Sequence, residues 1–284
     1  MNNILIAKET KRIIKEGQYE LAGDIIKLPA IDYGKVKVIS PQLGEELLLA
    51  NKETEKAVLN NICIVPEDSF QAAKRYNNPL VMNFANAHKP GGGFELGATA
   101  QEEALCRCST LIASIGSAEA KEMYQYNNSH VIPVESDYML LSEVCVFRNE
   151  KCELVRDPFL AGVITVPAPN RIGLAALTPV EKIDAAMIKR IQIMLLAAKA
   201  NKYKSLVLGA WGCGAFHNNP ENVAKCFKTV LEDYGFAKYF DHICFAIYGS
   251  ENGKNITAFR NCFKITSGNS RLFNCRDESA KKEK

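Results

Sequence analysis

The chain has 284 residues, of which 47% are apolar and 24% charged, and its 35 basic and 32 acidic residues leave a formal net charge of +3. That length buries a full-sized core in one large or two small domains, and the near balance of charge excludes the concentrated basic stripe of a dedicated nucleic-acid binder. No apolar run approaches the ~20 residues needed to span a bilayer, and Met1 to Lys15 lacks the uninterrupted apolar stretch of a signal peptide.

From the amino terminus, Ile4, Leu5, Ala7, Ile13 and Ile14 suit a helix ended by Gly17. The stretch to about Ala50, broken by Pro29, Gly34, Pro41 and Gly44 around runs such as Val36-Lys37-Val38-Ile39, reads as irregular or strand-rich. Ile62–Val65 is a buried strand, and Asp68-Ser69-Phe70-Gln71 a capping box opening a helix through Tyr76. Leu80–Phe84 is a second strand, followed by Gly91-Gly92-Gly93 and a helix from Gln101 to about Ile115. Strands are expected near Tyr138–Phe147 and Gly162–Val166.

Thr178-Pro179-Val180-Glu181 opens a helix to about Ala200, with Thr as N-cap and Pro at the first helical position. Leu206–Leu208 is a strand, Gly212-Cys213-Gly214 a tight loop, and Asn219-Pro220-Glu221 caps a helix through Leu231. Ile243–Tyr248 and Ile256–Phe263 supply the last strand and helix. Such alternation implies a three-layer α/β fold with a largely parallel or mixed central sheet. Residues 1–55 are expected to form an accessory segment, 56–268 the main domain, and 269–284, ending Lys281-Lys282-Glu283-Lys284, a solvated and disordered tail.

Open α/β sheets bind ligands at the carboxyl ends of their strands, where both glycine loops are expected. Three successive glycines allow positive φ and close backbone approach to an anion, and Gln101-Glu102-Glu103 follows them closely. The amides of Asn83 and Asn86 can bond ribose hydroxyls, so the two loops are expected to face one crevice as cradles for a diphosphate. GxGxxG spacing and a P-loop Gly-Lys-Ser/Thr are both absent, which disfavours a Rossmann or P-loop nucleotide site.

The ten cysteines include no CxxC pair and no histidine at zinc-finger spacing, so no metal is expected. Several sit in apolar runs such as Ile62-Cys63-Ile64-Val65 and read as reduced thiols in a cytosolic setting.

The run Asn83-Phe84-Ala85-Asn86, Gly91-Gly92-Gly93 and Gln101-Glu102-Glu103 resembles the signature of the macrodomain-fold poly(ADP-ribose) glycohydrolases, specifically the smaller microbial type. Leu208-Gly209-Ala210-Trp211-Gly212-Cys213-Gly214-Ala215-Phe216 resembles that family's second, diphosphate-binding loop, and Val146-Phe147-Arg148 and Ala168-Pro169-Asn170 resemble intermediate landmarks. The resemblance implies a three-layer α/β/α macrodomain with a mixed central sheet and an N-terminal accessory segment. It also implies hydrolysis of ribose–ribose O-glycosidic bonds in poly(ADP-ribose), releasing ADP-ribose from chain ends without metal or cofactor. Poly(ADP-ribosyl)ated proteins would be the partners, with no dedicated DNA or RNA binding and no membrane.

By family position Glu103 is the general acid for an oxocarbenium-like transition state. Glu102, projecting roughly 100° away around the helix, orients ribose hydroxyls. Gly91, Gly92, Gly93, Gln101, Gly212, Cys213, Gly214 and Ala215 are implied to bind substrate, Phe216 to press the distal ribose toward Glu103, Asn86 to bond that ribose, and Tyr248 to stack on adenine. Asp68 is either a helix cap or an acceptor for the adenine amino group.

Taken singly, these residues have plainer readings: a Glu-Glu pair is ordinarily a solvated first helical turn at the positive dipole end, and Phe216 and Tyr248 are core or rim aromatics. Cys213 is a loop-packing residue, with no His or Asp motif to make it a nucleophile. The rival functions are a macrodomain that binds ADP-ribose without cutting it, and a hydrolase of mono-ADP-ribosylated or acylated ADP-ribose substrates.

Overall fold

The computed structural model describes residues 2–51, 55–130, 134–172 and 176–265. The expected tail at 269–284 lies outside these. The chain divides into two compact units, Met1–Pro41 with Asn83–Ala168, and Gln42–Met82 with the remainder from Pro169. These units do not follow a boundary at residue 55.

In the first unit, α1 (Asn3–Glu16) is capped by the Asn2 side chain and stopped by Gly17, whose φ of 67° is left-handed. Strands β1 (Gln18–Leu21) and β2 (Asp24–Lys27) form a separate antiparallel ribbon. β3 (Val36–Ile39) follows.

The expected irregular stretch to Ala50 instead ends in helix α2 (Pro41–Ala50). Proline at a helix start gives up no bond. Gly44 is interior because a Cβ there would lie 2.8 Å from the Ile193 side chain. The second unit continues with β4 (Ile62–Val65), the short α3 (Ser69–Ala73) and β5 (Pro79–Ala85), whose last residues enter the first unit.

The expected helix from Gln101 to Ile115 is two helices, α4 (Gln101–Cys108) and α5 (Leu111–Ile115). Ser109 between them is extended and pairs as an isolated bridge with Val146, while its hydroxyl bonds back to Leu105 O at 2.8 Å. Tertiary pairing thus overrides a continuous apolar helix pattern. α6 (Lys121–Ser129) was not anticipated, and β6 (Met139–Arg148) and β7 (Leu154–Pro167) complete the unit.

The second unit resumes with α7 (Val180–Ala200), β8 (Ser205–Leu208), α8 (Pro220–Lys228), β9 (His242–Ala246) and α9 (Lys254–Phe263). The N-cap of α7 is Pro179, without a side-chain cap bond, rather than Thr178.

The central sheet is mixed and seven-stranded. Within the first unit β3, β6 and β7 are antiparallel neighbours, with a register shift between Val146 and Arg148. Within the second, β5, β8, β9 and β4 are adjacent and parallel. Helices supply the other layers, as expected of an α/β fold.

Core packing positions the catalytic candidates through α1. Thr10 is fully buried and donates to Arg107 O in the last turn of α4 at 2.8 Å. Glu9 pairs at 2.5 Å with Arg148, whose side chain is 3% exposed.

Candidate active site

Strand β5 is buried along nearly its whole length, so its one amide side chain needs partners. Asn83 Nδ2 donates to Glu102 Oε1 at 3.2 Å and to Thr165 Oγ1, on β7, at 3.1 Å. The neighbouring Phe84 N–H donates to Gln101 Oε1 at 2.9 Å, pinning the first residue of α4 to the strand.

Ala100, the N-cap of α4, has no side-chain oxygen to offer, so the first-turn acids face the positive end of a helix without a side-chain cap. The ordinary reading of Glu102 and Glu103 as a solvated pair does not hold: they are 2% and 7% exposed. Glu102 Oε2 accepts the Asn86 backbone N–H at 2.9 Å. Glu103 Oε1 accepts the Gly93 N–H at 2.8 Å. Glu103 Oε2, also covered, has no hydrogen-bond partner among the described residues.

The glycine run is shaped by this seat. Gly91 and Gly92 are both left-handed, at φ 67° and 52°, and a Cβ on Gly92 would stand 2.5 Å from Glu103 Oε1. Two of the three glycine amides, expected to aim at a substrate diphosphate, have partners within the protein. Gly93 donates to Glu103, and Gly92 donates to Lys89 O at 3.0 Å. The buried acids are thus solvated by protein donors, Glu102 by Asn83 and Asn86 and Glu103 by Gly93.

Burial pushes the Glu102 carboxyl up to about 8, with Glu103 adding to the rise and the bonds from Asn86, Asn83 and Gly91 opposing it. The same surroundings push up the buried Cys106 thiol and Tyr124 hydroxyl, first through burial and then through Glu102.

Asn86 is placed at the site by its backbone. Its Oδ1 accepts the amides of His88 and Lys89 at 2.9 and 3.0 Å, forming a local turn. His88 itself is exposed and bonded to Asn128. Sequence reasoning missed Thr165 and Arg107. The signal for Thr165 was a lone hydroxyl within the apolar run Val163–Val166. Arg107 is buried and donates to Ala98 O at 2.6 Å, bracing the segment before α4; inside an expected helix from Gln101 to Ile115 it carried no signal of this role.

The remaining expected residues belong to the second unit. After β8 the loop is anchored by Trp211, fully buried with its ring centroid 6.4 Å from Phe227. Gly212 turns the chain at φ 72°, and Asn218 Nδ2 bonds the Gly212 and Pro169 carbonyls at 3.2 and 2.8 Å. Beyond it Gly214 and Ala215 are exposed and Phe216 is half-buried. Among the described residues the Gly214, Ala215 and Phe216 amides donate to no protein acceptor, unlike those of Gly92 and Gly93. The Cys213 thiol, pushed up to about 12 by burial, has the character of a packing group. Tyr248, just past β9, is 83% exposed. Asp68 caps α3, accepting the Phe70 and Gln71 amides.

Fold and site together define a macrodomain-like α/β protein whose first unit carries a buried carboxyl pair on a glycine-loop seat. The profile of the microbial-type PARG catalytic domain matches residues 7–149, and the chain belongs to that family. A crystal structure of poly(ADP-ribose) glycohydrolase from Thermomonospora curvata is 32% identical, with a TM-score of 0.84 over 92% of this chain and 99% of that one. The same enzyme bound to the inhibitor ADP-HPD is 33% identical, with a TM-score of 0.82 over 91% and 98%. The Deinococcus radiodurans enzyme in complex with ADP-ribose is 31% identical, with a TM-score of 0.75 over 84% and 98%. The comparison with curated proteins gives no match. No helix among the described residues is long and apolar enough to cross a membrane.

Proposed function

We propose that the chain is a poly(ADP-ribose) glycohydrolase that cleaves ribose–ribose O-glycosidic bonds and releases ADP-ribose, working from chain ends on polymer and on poly(ADP-ribosyl)ated proteins. One observation carries the assignment of roles. Both Glu102 oxygens accept N–H groups, whereas Glu103 keeps Oε2 without a partner among the described residues. An acid must present a free oxygen to the group it protonates.

Glu103 therefore donates a proton to the leaving ribose oxygen as the glycosidic bond breaks, and its carboxylate then takes a proton from the incoming water. The amides that hold both carboxyls set their geometry before substrate arrives. Glu102, fixed by Asn83 and Asn86, orients ribose hydroxyls, with Gln101 securing the helix start and the side-chain-free Gly91, Gly92 and Gly93 keeping the approach open. The open amides of Gly214 to Phe216 suit the substrate diphosphate. Gly212 and Cys213 shape that loop, Phe216 packs on ribose, and Tyr248 offers an exposed ring for adenine. The carboxyl pair supplies the acid and base, so the reaction is proposed to need no metal. A cytoplasmic, reducing location is consistent with the free cysteines among the described residues.

Incubation with poly(ADP-ribose), with and without chelator, followed by chromatography should yield ADP-ribose in both cases. Loss of product on chelation overturns the metal-free reading. Release only from singly modified protein overturns the polymer reading, and binding without release favours a recognition module. A second reading, with Glu102 as the acid, draws on its raised pKa; greater retention of turnover in Glu103→Gln than in Glu102→Gln would establish it.

A further inference from the structure

At the opposite end of α4 from the acids, two thiols meet. Cys108, the last residue of α4, places its Sγ 3.9 Å from Cys152 Sγ, in the turn joining β6 to β7. The turn is tightly made. Asn149 N donates to Glu153 O at 2.9 Å, Cys152 N to Asn149 O at 2.9 Å, and Asn149 Oδ1 accepts the Lys151 and Glu153 amides.

Cys152 stands in the left-handed region, at φ 61°, where glycine or asparagine would be at ease. The backbone pays for holding a sulfur there. Cys152 is half-buried and Cys108 buried, so a small oxidant reaches the former first.

Positive charge gathers around the pair. Arg148, buried, donates from Nη1 to Cys152 O at 3.0 Å and pairs through Nη2 with Glu9, while its Nε has no partner among the described residues. The Cys108 thiol, followed by Arg107 and Arg148, outweighs burial and brings the Cys152 thiol down to about 6. Burial pushes the thiols of Cys106, Cys145, Cys213, Cys226 and Cys262 the opposite way. Thiolate character and access select the reactive sulfur.

We propose that Cys152 and Cys108 form a peroxide-responsive thiol pair, with Cys152 the sulfur that reacts and Cys108 the one that resolves it. The Cys152 thiolate attacks hydrogen peroxide. An S–O bond forms as the O–O bond breaks, the sulfur loses two electrons to become a sulfenic acid, and the departing hydroxide takes a proton to become water. Cys108 sulfur, giving up its proton, then attacks the Cys152 sulfur. The S–S bond forms, hydroxide leaves, and with that proton it becomes a second water. The bond joins the end of α4 to the β6–β7 turn and halts Cys152 below the irreversible sulfinic stage.

The test treats the full chain with hydrogen peroxide, blocks remaining thiols with N-ethylmaleimide, and maps peptides without reduction. A Cys108–Cys152 linked peptide, reversed by dithiothreitol, is expected. In Cys108→Ser, dimedone should trap a sulfenic acid on Cys152, and excess peroxide should carry it to the sulfinic acid. In the untreated chain at pH 7, iodoacetamide should alkylate Cys152 roughly tenfold faster than Cys262. Recovery of Cys152 as its N-ethylmaleimide adduct after other thiols are oxidised overturns the proposal. So does a sulfinic acid on Cys152 in the intact chain without the link, or an alkylation rate no higher than that of Cys262.

Discussion

Gly93 donates its backbone N–H to Glu103 Oε1 at 2.8 Å, leaving the carboxyl's other oxygen without a partner among the described residues. One oxygen fixes the group and the other is left for chemistry. Glu103→Gln keeps the size and one acceptor but carries no transferable proton. Its turnover of poly(ADP-ribose) should fall by roughly 10²- to 10⁴-fold, the usual span for a positioned acid, while ADP-ribose binding by calorimetry stays within a fewfold. Turnover equal to that of the unaltered chain would remove Glu103 from the role.

Gly92 is the tightest point of the seat. Its φ of 52° and the 2.5 Å that would separate an added Cβ from Glu103 Oε1 leave alanine two penalties, a left-handed backbone and a displaced carboxyl. Gly92→Ala should cost about 2 to 4 kcal/mol in denaturant titrations and should reduce turnover further than the stability loss explains. Gly214→Ala, whose Cβ meets nothing within 4 Å, should leave stability nearly unchanged.

The raised pKa of Glu102 has a definite consequence for pH. Its folded value, about 8, lies above the ordinary 4.5, so between these values the folded state holds a proton that the unfolded state has released. Stability from this group is complete below the ordinary carboxylate range and is lost as pH rises toward and through 8. Glu102→Gln cannot titrate. The stability difference between the two proteins, measured by urea unfolding from pH 5 to 8.5, should therefore shift in favour of Gln as pH rises. A flat difference would mean that the bonds from Asn86 and Asn83 outweigh burial.

Glu9 and Arg148 tie α1 to β6 at 2.5 Å, with Arg148 buried and Glu9 41% exposed. Removing the acid leaves a buried guanidinium short of its counter-charge. Glu9→Ala should lower stability by about 1 to 3 kcal/mol, with the loss varying little with salt because the Arg148 end is shielded. Exposed pairs such as Lys11–Glu95 should matter much less.

The sequence alone determined the alternation of strands and helices, because buried strands such as Leu80–Phe84 and helix stops such as Gly17 are written in local residue chemistry. It also determined the family, since the spacing of Gly91-Gly92-Gly93 and Gln101-Glu102-Glu103 is linear information. Tertiary contacts decided the rest. Ser109 leaves the helix to pair with Val146, and Gly44 sits inside a helix because Ile193 fills the space. Periodicity carries neither partner.

The carboxyl pair makes the same point. Its spacing was legible, yet whether Glu102 and Glu103 face solvent or are buried depends on Asn83, Asn86 and Gly93 arriving from other segments with their N–H groups. Only the fold assigns the Gly92 and Gly93 amides to partners within the protein, and only the fold brings Cys108 and Cys152, 44 residues apart, within 3.9 Å. Hydrogen bonds and desolvation depend on distances across the chain, which local sequence does not encode.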